Sequence, residues 1–199
     1  GVLLAARAAA VDVLRRLAAD SHGRLSGGRE RLDLAYEPRL SPEGAAEPPP
    51  ADPSAAAEAL AEALRRARRR EIRAGMSLVG PHRDDVRFLL DGHEAGPYAS
   101  RGQKRTAALS LRLAEAGYLE LRLGEAPVLL LDDVLSELDA PRAHAVLGVT
   151  ERADQAMITT TDLDGFDREF LSRATLLRVE AGTVTAAAPP GTGGGDGAA

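Results

Sequence analysis

Length, charge and composition exclude several classes of protein. The chain has 199 residues, a formal net charge of -5, no cysteine and four histidines. Without cysteine it cannot form disulfides or sulfur-ligated metal sites, and its histidines do not fall at metal-ligand spacing. No apolar stretch approaches the roughly eighteen residues of a membrane span, so we expect a soluble protein with no membrane partner. The negative net charge excludes a uniformly basic nucleic-acid binder.

The first stretch of the chain predicts a helix followed by a strand. Apolar residues recur at three- and four-residue steps from 3 to 20, which predicts a helix that ends before Gly23. Apolar and polar residues then alternate over 32–36, after a pair of glycines, and this pattern predicts a short, half-buried strand.

A proline-rich loop and an arginine-rich helix come next. Five prolines among small residues in 41–54 predict a loop, and a helix should follow from Ser54, its predicted N-cap, to about Arg73. Between residues 65 and 83 there are seven arginines and one acid, a net charge of +6. This run could contact DNA phosphates, although a charge run on a helix is more often a solvated face. The candidate DNA contacts are Arg65, Arg66, Arg69 and Arg70.

From Met76 onward, short strands alternate with helices, which indicates an α/β domain with a largely parallel sheet. Residues 86–90 predict a strand that turns at Asp91-Gly92, a common hairpin dipeptide. A helix is predicted from Gln103 to about Leu123.

The later elements are shorter. We predict a helix from about Asp139 with Pro141 in its first turn, a strand over 156–161, and two short strands over 176–185. Residues 186–199 have nothing to bury, so we expect them to be disordered.

Two carboxylates end the most apolar strand of the sequence. Residues 128–131 are apolar on both faces, as in a central parallel strand covered by helices on each side. Asp132 and Asp133 follow directly and should lie at the carboxyl edge of the sheet, where ligands bind. Asp132 is a candidate Mg²⁺ ligand, and Asp133 could orient or deprotonate a water molecule. The alternative is a solvated or helix-capping pair.

A serine begins the long helix of this region. Ser100 and Gln103 have the spacing of a capping box, which would stabilise the helix even without a ligand. The same geometry leaves a hydroxyl, a glycine amide and a helix amino terminus facing any nearby anion.

These segments together resemble the heads of ABC-type ATPases of the SMC and RecF kind. Ser100–Gln103 is similar to their signature motif, 128–133 to their Walker B strand and Ser136–Asp139 to their D-loop. RecF is the nearest resemblance, because Gly80–Asp85 and Leu130–Asp139 look like segments of that family almost residue for residue.

The resemblance implies an α/β fold: an incomplete ABC-ATPase-like head of the P-loop NTPase class, with part of a helical arm. Residues 1–75 would form the arm region, 76–185 the carboxy-terminal part of the head, and 186–199 the tail. It also implies that ATP and Mg²⁺ are the cofactors and that two copies form a homodimer on ATP.

Roles for individual residues follow from the same resemblance. Asp132 would hold Mg²⁺, and Asp133 would take the catalytic acidic position, with slow hydrolysis because it is shorter than the glutamate of transporters. Across the dimer interface, the partner's γ-phosphate would meet Ser100, Arg101, Gly102 and Gln103. Arg101 departs from the usual glycine of the motif. The D-loop positions at the interface would be Ser136 and Asp139.

The sequence contains no phosphate-binding loop. Such a loop needs glycines whose amides surround the phosphates and a lysine that reaches them, yet the one lysine, Lys104, follows Gln103 with the wrong glycine spacing. The chain also opens on Gly1. We therefore expect it to be part of a longer protein and to be inactive as an ATPase alone.

Three hypotheses about function remain. In the first, the full protein is a weak, cytoplasmic, nucleoid-associated ATPase that binds gapped or junction DNA and, with RecO and RecR, helps to load RecA on single strands. In the second, this chain is a non-catalytic module for dimerisation and DNA contact. In the third, it belongs to another ABC-like head, such as an SMC or RecN relative or a transporter domain.

Overall fold

Helix α1, Val2–Ser26, is longer than the apolar spacing predicted. The prediction that it ends before Gly23 is wrong, because the helix continues for another turn that buries His22 and Leu25. It ends at Gly27, whose φ of 63° is the left-handed conformation that glycine adopts without strain, and the Gly28 amide donates to the Gly23 carbonyl. Tertiary burial therefore outweighs the weak helix propensity of Gly23.

An antiparallel sheet packs beside α1. Its strands are β1, Leu32–Glu37; β2, Asp85–Leu90; and β3, His93–Glu94. β2 pairs with both neighbours, with Leu34 opposite Phe88 and Leu90 opposite His93, so the predicted hairpin at Asp91-Gly92 is confirmed. The computed structural model describes residues 1–43, 49–151 and 153–188.

Helix α2, Pro53–Ala74, begins two residues before the prediction, with a different cap. Asp52, not Ser54, is the N-cap, and its carboxylate accepts from the Ala55 amide at 2.8 Å. Proline is well suited to the first helical position, since its missing N–H would have no partner there and its φ is already helical. Only alanines of α2 are buried, namely Ala56, Ala63 and Ala67, so the other faces carry the arginines.

Helix α4 is the main packing partner of α1 in the first compact unit. It spans Arg101–Leu123 and follows a single turn, α3, Ala95–Tyr98. Small side chains let the helices approach closely, and Gly117 lies against Leu17. The shared core comprises Val11, Ala18, Leu32, Leu34, Leu90, Ala95, Ala107 and Ala114.

The remaining elements form a parallel strand pair, two helices and a hairpin. They are β4, Leu129–Asp132; a 3₁₀ turn, Leu135–Glu137; α5, Ala140–Thr150; β5, Ala156–Thr159; α6, Arg168–Arg173; β6, Leu177–Glu180; and β7, Thr183–Ala186. The predicted helix after Asp139 and the paired strands around 181–182 are confirmed.

Strand β4 is less covered than its composition predicted. It pairs with β5, and the bonds from the Leu129 amide to the Gln155 carbonyl and from Asp133 to Thr159 advance in the same direction, so the pair is parallel. Leu131 is buried, whereas Leu130 is 71% exposed. The expected coverage of both faces is therefore absent among the described residues.

Contacts divide the chain into two units. The first comprises Gly1–Leu129 with Ala153–Gln155, and the second Leu130–Arg152 with Ala156–Ala199. In the first unit β1 pairs with β2, which joins sequence on both sides of the expected arm boundary at residue 75. The domain boundaries stay predictions, and nearly all of the expected disordered tail lies outside the described residues. No helix within the described ranges is long and apolar enough to span a membrane.

A buried aspartate fixes the loop before β2. The Asp84 side chain is 1% exposed and accepts from Arg7 Nη1 at 2.8 Å, the Tyr36 hydroxyl at 2.5 Å and the Arg39 amide at 2.8 Å. Burial, together with the hydrogen bond to Asp84, raises the pKa of the Tyr36 phenol above its ordinary value. Arg83, the neighbour of Asp84 in sequence, instead donates to the Ser77 carbonyl.

Removing this carboxylate should destabilise the first unit. Arg7 stays partly hydrated when it loses its partner, so we expect Asp84→Ala to lower the free energy of unfolding by about 2–3 kcal/mol, below the roughly 3–5 kcal/mol for a fully buried pair that loses one member. Urea unfolding measures the change. The neighbouring exposed Asp85 is the control, and Asp85→Ala should cost less than about 0.5 kcal/mol. Equal losses would contradict the role of Asp84.

Candidate nucleotide site

The carboxyl ends of β4 and β5 bring Asp132 and Thr159 together. The Thr159 hydroxyl donates to Asp132 Oδ1 at 2.5 Å, while the Asp132 side chain lies at the surface. One bound oxygen leaves the other carboxylate oxygen available to a cation. Mg²⁺ is commonly held by one or two carboxylates together with phosphate oxygens and water, so this donor set fits it.

Asp133 turns the chain away from the strand. Its φ of 50° lies in the left-handed region, which is uncommon for a residue with a side chain, although aspartate tolerates it better than most. Its amide donates to both the carbonyl and the hydroxyl oxygen of Thr159, at 3.2 and 3.0 Å, and its carbonyl accepts from the Ser136 hydroxyl at 2.9 Å. These bonds hold the turn, so the exposed Asp133 carboxylate leaves the strand in a different direction from Asp132.

Sequence reasoning missed Thr159. Three successive threonines, Thr159–Thr161, lie at the end of the strand predicted over 156–161, and parallel strands end at the same edge of a sheet. That combination was the available signal. It could not specify which of the three hydroxyls reaches Asp132, because that depends on strand register.

Ser100 and Gln103 form the predicted capping box at the start of α4. The Ser100 hydroxyl accepts from the Gln103 amide at 3.2 Å, and Gln103 Oε1 accepts from the Ser100 amide at 2.8 Å. Ser100, Arg101 and Gly102 are exposed. The Ser100 hydroxyl hydrogen is not used in this bond, so it can point towards an anion at the helix amino terminus.

The Gln103 side chain makes a second hydrogen bond that the sequence did not predict. Its amide nitrogen donates to Glu30 Oε1 at 3.3 Å, in addition to the capping bond made by its oxygen. Glu30 lies between α1 and β1, far away in sequence, and no motif pointed to it.

The expected dimer-facing residues have roles within their own unit. Asp139 is the N-cap of α5, where its carboxylate accepts from the Arg142 amide at 3.0 Å and pairs with the Arg142 guanidinium at 2.7 Å. Ser136 holds the Asp133 turn. Both residues are exposed and so remain accessible to a second molecule. Ser100–Gln103 belongs to the first unit and the Asp132 cluster to the second.

Three of the four candidate DNA-binding arginines are ion-paired. Glu62 accepts from Arg65 and Arg66, and Glu43 pairs with Arg70. The hydrogen bonds from Arg65 and Arg66 lower the pKa of the Glu62 carboxyl, and those from Ser41 and Arg70 lower that of Glu43. In the part of the chain that the structure describes, Arg69 has no acidic partner, so no neighbouring carboxylate offsets its charge.

Comparisons with known proteins give one consistent result. The chain is 46% identical over 181 residues to "DNA replication and repair protein RecF" of Roseiflexus castenholzii, covering 90% of this chain and 45% of that protein. It is 44% identical over 187 residues to the protein of the same name from Chloroflexus aurantiacus, covering 94% and 46%. The chain thus spans about half the length of the curated relatives that it matches. No family model matches it.

Two solved structures give the same result as the sequence comparisons. The chain superimposes on the recombination mediator protein RecF bound to ATP, in the RecFOR pathway, with a TM-score of 0.66 and 30% identity, covering 89% of this chain and 44% of that one. A second structure, titled RecF-ATPrS, gives a TM-score of 0.69 at 30% identity, covering 92% and 46%. These matches confirm the expected α/β, ABC-ATPase-like fold class.

If Asp132 holds Mg²⁺, the Thr159 hydroxyl should increase the Mg²⁺ affinity of that site. In a full-length RecF-type protein that carries these residues, Thr159→Val should raise the Mg²⁺ concentration for half-maximal ATP hydrolysis about tenfold, because loss of a hydrogen bond that orients a metal ligand weakens metal affinity by roughly that factor. Thr159→Ser keeps the hydroxyl and should behave like the wild type. Exposed Thr161 supplies the control Thr161→Val. Matching Mg²⁺ curves for the valine and serine variants at position 159 would contradict the role of Thr159.

Proposed function

Because the chain belongs to the RecF family over the stretch that they share, we propose that it supplies part of the ATP site of a DNA repair and recombination ATPase that dimerises on ATP. The observation that carries the proposal is the pair of exposed carboxylates, Asp132 and Asp133, at the carboxyl ends of two parallel strands. An exposed serine-led helix start in the same chain supplies the complementary group. One of the matching structures is of RecF with ATP.

Asp132 and Asp133 would have different roles in hydrolysis. Asp132 would hold Mg²⁺, which supplies positive charge to the β- and γ-phosphate oxygens. Asp133 would accept the proton of the water that attacks the γ-phosphorus, while the bond from that phosphorus to the bridging oxygen breaks and ADP leaves. The hydrogen-bonded turn at Thr159 and Ser136 holds Asp133 for this task before nucleotide arrives.

The signature loop, Ser100–Gln103, would face the γ-phosphate of a second molecule. The Ser100 hydroxyl, the Gly102 amide and the positive end of the α4 dipole all favour a negative ligand. The Arg101 side chain adds a full positive charge at the same end, and the amide of Gln103 holds the helix start. Ser136 and Asp139 would lie at the same interface, so each composite site needs two chains.

DNA is the second proposed ligand, with α2 as the contact surface. The carboxy-terminal half of this helix carries six arginines, and within the described ranges Arg69 is the one of the four candidates without an acidic partner. The wider proposal includes gapped or junction DNA as substrate, RecO, RecR and RecA as partners, and a cytoplasmic location at the nucleoid.

A second candidate is a non-catalytic module for dimerisation and DNA contact. The sequence favours it in one respect, because the only lysine, Lys104, does not lie in a phosphate-binding loop. The two proposals differ in whether Asp133 matters for turnover, and the following experiment separates them.

Mixing two inactive variants tests the composite site. In a full-length RecF-type protein with these residues, Asp133→Asn should bind ATP and dimerise while hydrolysis falls at least about a hundredfold, because the general base is lost. Ser100→Arg should block the partner's phosphate and also abolish turnover. An equimolar mixture should regain about a quarter of wild-type activity, since half of the dimers are mixed and one of their two sites is intact.

Single variants provide the controls. Asparagine tolerates the left-handed conformation at position 133 as aspartate does, so the Asp133→Asn variant should keep the wild-type fold. Ser100→Thr retains the cap and should keep activity. Undiminished hydrolysis by Asp133→Asn would contradict the catalytic role. A mixture as inactive as its components would contradict a site built from two chains.

Salt dependence tests the DNA surface. Arg69→Ala should weaken binding to gapped duplex DNA to a similar degree for all sequences, and should reduce the slope of log affinity against log salt by about one, because one phosphate contact is lost. Fluorescence anisotropy of labelled DNA across a salt series measures both quantities. Arg112, which pairs with Glu115 on α4, is the control, and Arg112→Ala should leave the slope unchanged. An unchanged slope for Arg69→Ala would contradict this surface.

A further inference from the structure

A continuous chain of polar side chains runs from the signature loop into the core of the first unit. It links Gln103, Glu30, His22 and Ser110, and we name it the interior polar chain. Gln103 contacts Glu30 at 3.3 Å, Glu30 contacts His22 at 3.2 Å, and His22 contacts Ser110 at 3.1 Å. His22 and Ser110 are fully buried. None of the sequence motifs includes Glu30 or His22.

The capping box determines which way the Gln103 amide faces. The Ser100 amide is a donor, so the Gln103 atom that it contacts must be the oxygen. The Gln103 NH₂ group is therefore the end directed at Glu30, whose carboxylate is an acceptor. The two contacts support the same orientation, so Glu30 restrains the side chain that closes the start of α4.

The inner part of the interior polar chain joins the two helices of the core. The Ser110 hydroxyl donates to the Thr106 carbonyl at 2.6 Å, so its oxygen accepts from His22 Nδ1. The other ring nitrogen, Nε2, lies 3.2 Å from Glu30 Oε2. His22 is in α1, while Ser110 and Thr106 are in α4. Glu30 is thereby anchored to both helices of the core.

We propose that Glu30 is a positioning residue for the signature loop, linking the orientation of the Gln103 amide to the packing of α1 against α4. The inference rests on the proposed function, in which this loop faces a partner's nucleotide. Glu30 touches no reacting atom. Its effect is to keep the Ser100 hydroxyl and the first amides of α4 in one arrangement before the partner arrives, so that closing the dimer does not require ordering them.

The test compares three substitutions in a full-length RecF-type protein. Glu30→Ala should raise the dissociation constant of the ATP-bound dimer about tenfold and speed hydrogen exchange of the Ser100 amide by a similar factor, because the Gln103 amide loses the charged acceptor that restrains it. Glu30→Gln keeps an oxygen for Gln103 and should restore both values to within about twofold. Glu37 is similarly buried, with a side chain 24% exposed against 16% for Glu30, and Glu37→Ala should change neither value.

Substitutions at His22 test the contact between His22 and Glu30. Glutamine can place a donor where Nε2 lies, whereas asparagine reaches only towards Ser110, so His22→Gln should disturb dimerisation less than His22→Asn. Both substitutions lose the ring, and equal effects would indicate packing alone and would overturn this link. Urea unfolding of each variant separates loss of fold from loss of position.

The outcomes distinguish this inference from the proposed function. If the wild-type protein does not dimerise on ATP, the proposed function fails, and Ser100 amide exchange still decides whether Glu30 positions the loop. If the wild type dimerises but Glu30→Ala changes neither dimerisation nor exchange, the positioning role is overturned. If glutamine at position 30 is as damaging as alanine, contact with Gln103 is not the reason.

Discussion

Close packing between α1 and α4 is the constraint on which the first unit depends. Alanine and glycine at the contact allow two long helices to approach, and the antiparallel sheet covers the same core. This packing explains why α1 continues through Gly23, because the additional turn buries Leu25 and brings His22 beside Ser110. The position of the signature loop follows from it, since α4 carries Ser100 at its start.

Polar groups in this unit are restrained by partners from other elements. Asp84 accepts hydrogen bonds from α1, β1 and the segment after β1, and Glu30 contacts polar side chains of α1 and α4. Buried hydrogen bonds of this kind have a modest net effect on stability, but an unsatisfied partner is costly, so each cluster specifies one arrangement. Helix α1 and the signature loop are therefore joined by directional bonds as well as by apolar contact.

In the second unit, the ends of two strands and one turn determine where the polar groups lie. Two short parallel strands end together, and the backbone at Asp133 takes a left-handed turn that separates two neighbouring carboxylates. Thr159 ties both residues to the adjacent strand. Neighbouring aspartates thus have different surroundings, one beside a hydroxyl donor and one beyond the turn. Such a difference is what a metal ligand and a general base require.

Local sequence was sufficient for the long helices, for one hairpin and for the cap of α4. Apolar spacing predicted α1, α2 and α4, Pro141 after Asp139 predicted α5, the Asp91-Gly92 dipeptide predicted the β2–β3 hairpin, and the Ser100-to-Gln103 spacing predicted a capping box. These features depend on residues within a few positions of one another. Tertiary structure decided that Asp84 pairs with Arg7 and not Arg83, that Thr159 reaches Asp132, and that Glu30 holds Gln103. Each of these contacts joins residues between 27 and 77 positions apart, and such pairs are set by register and helix packing, which no local pattern encodes.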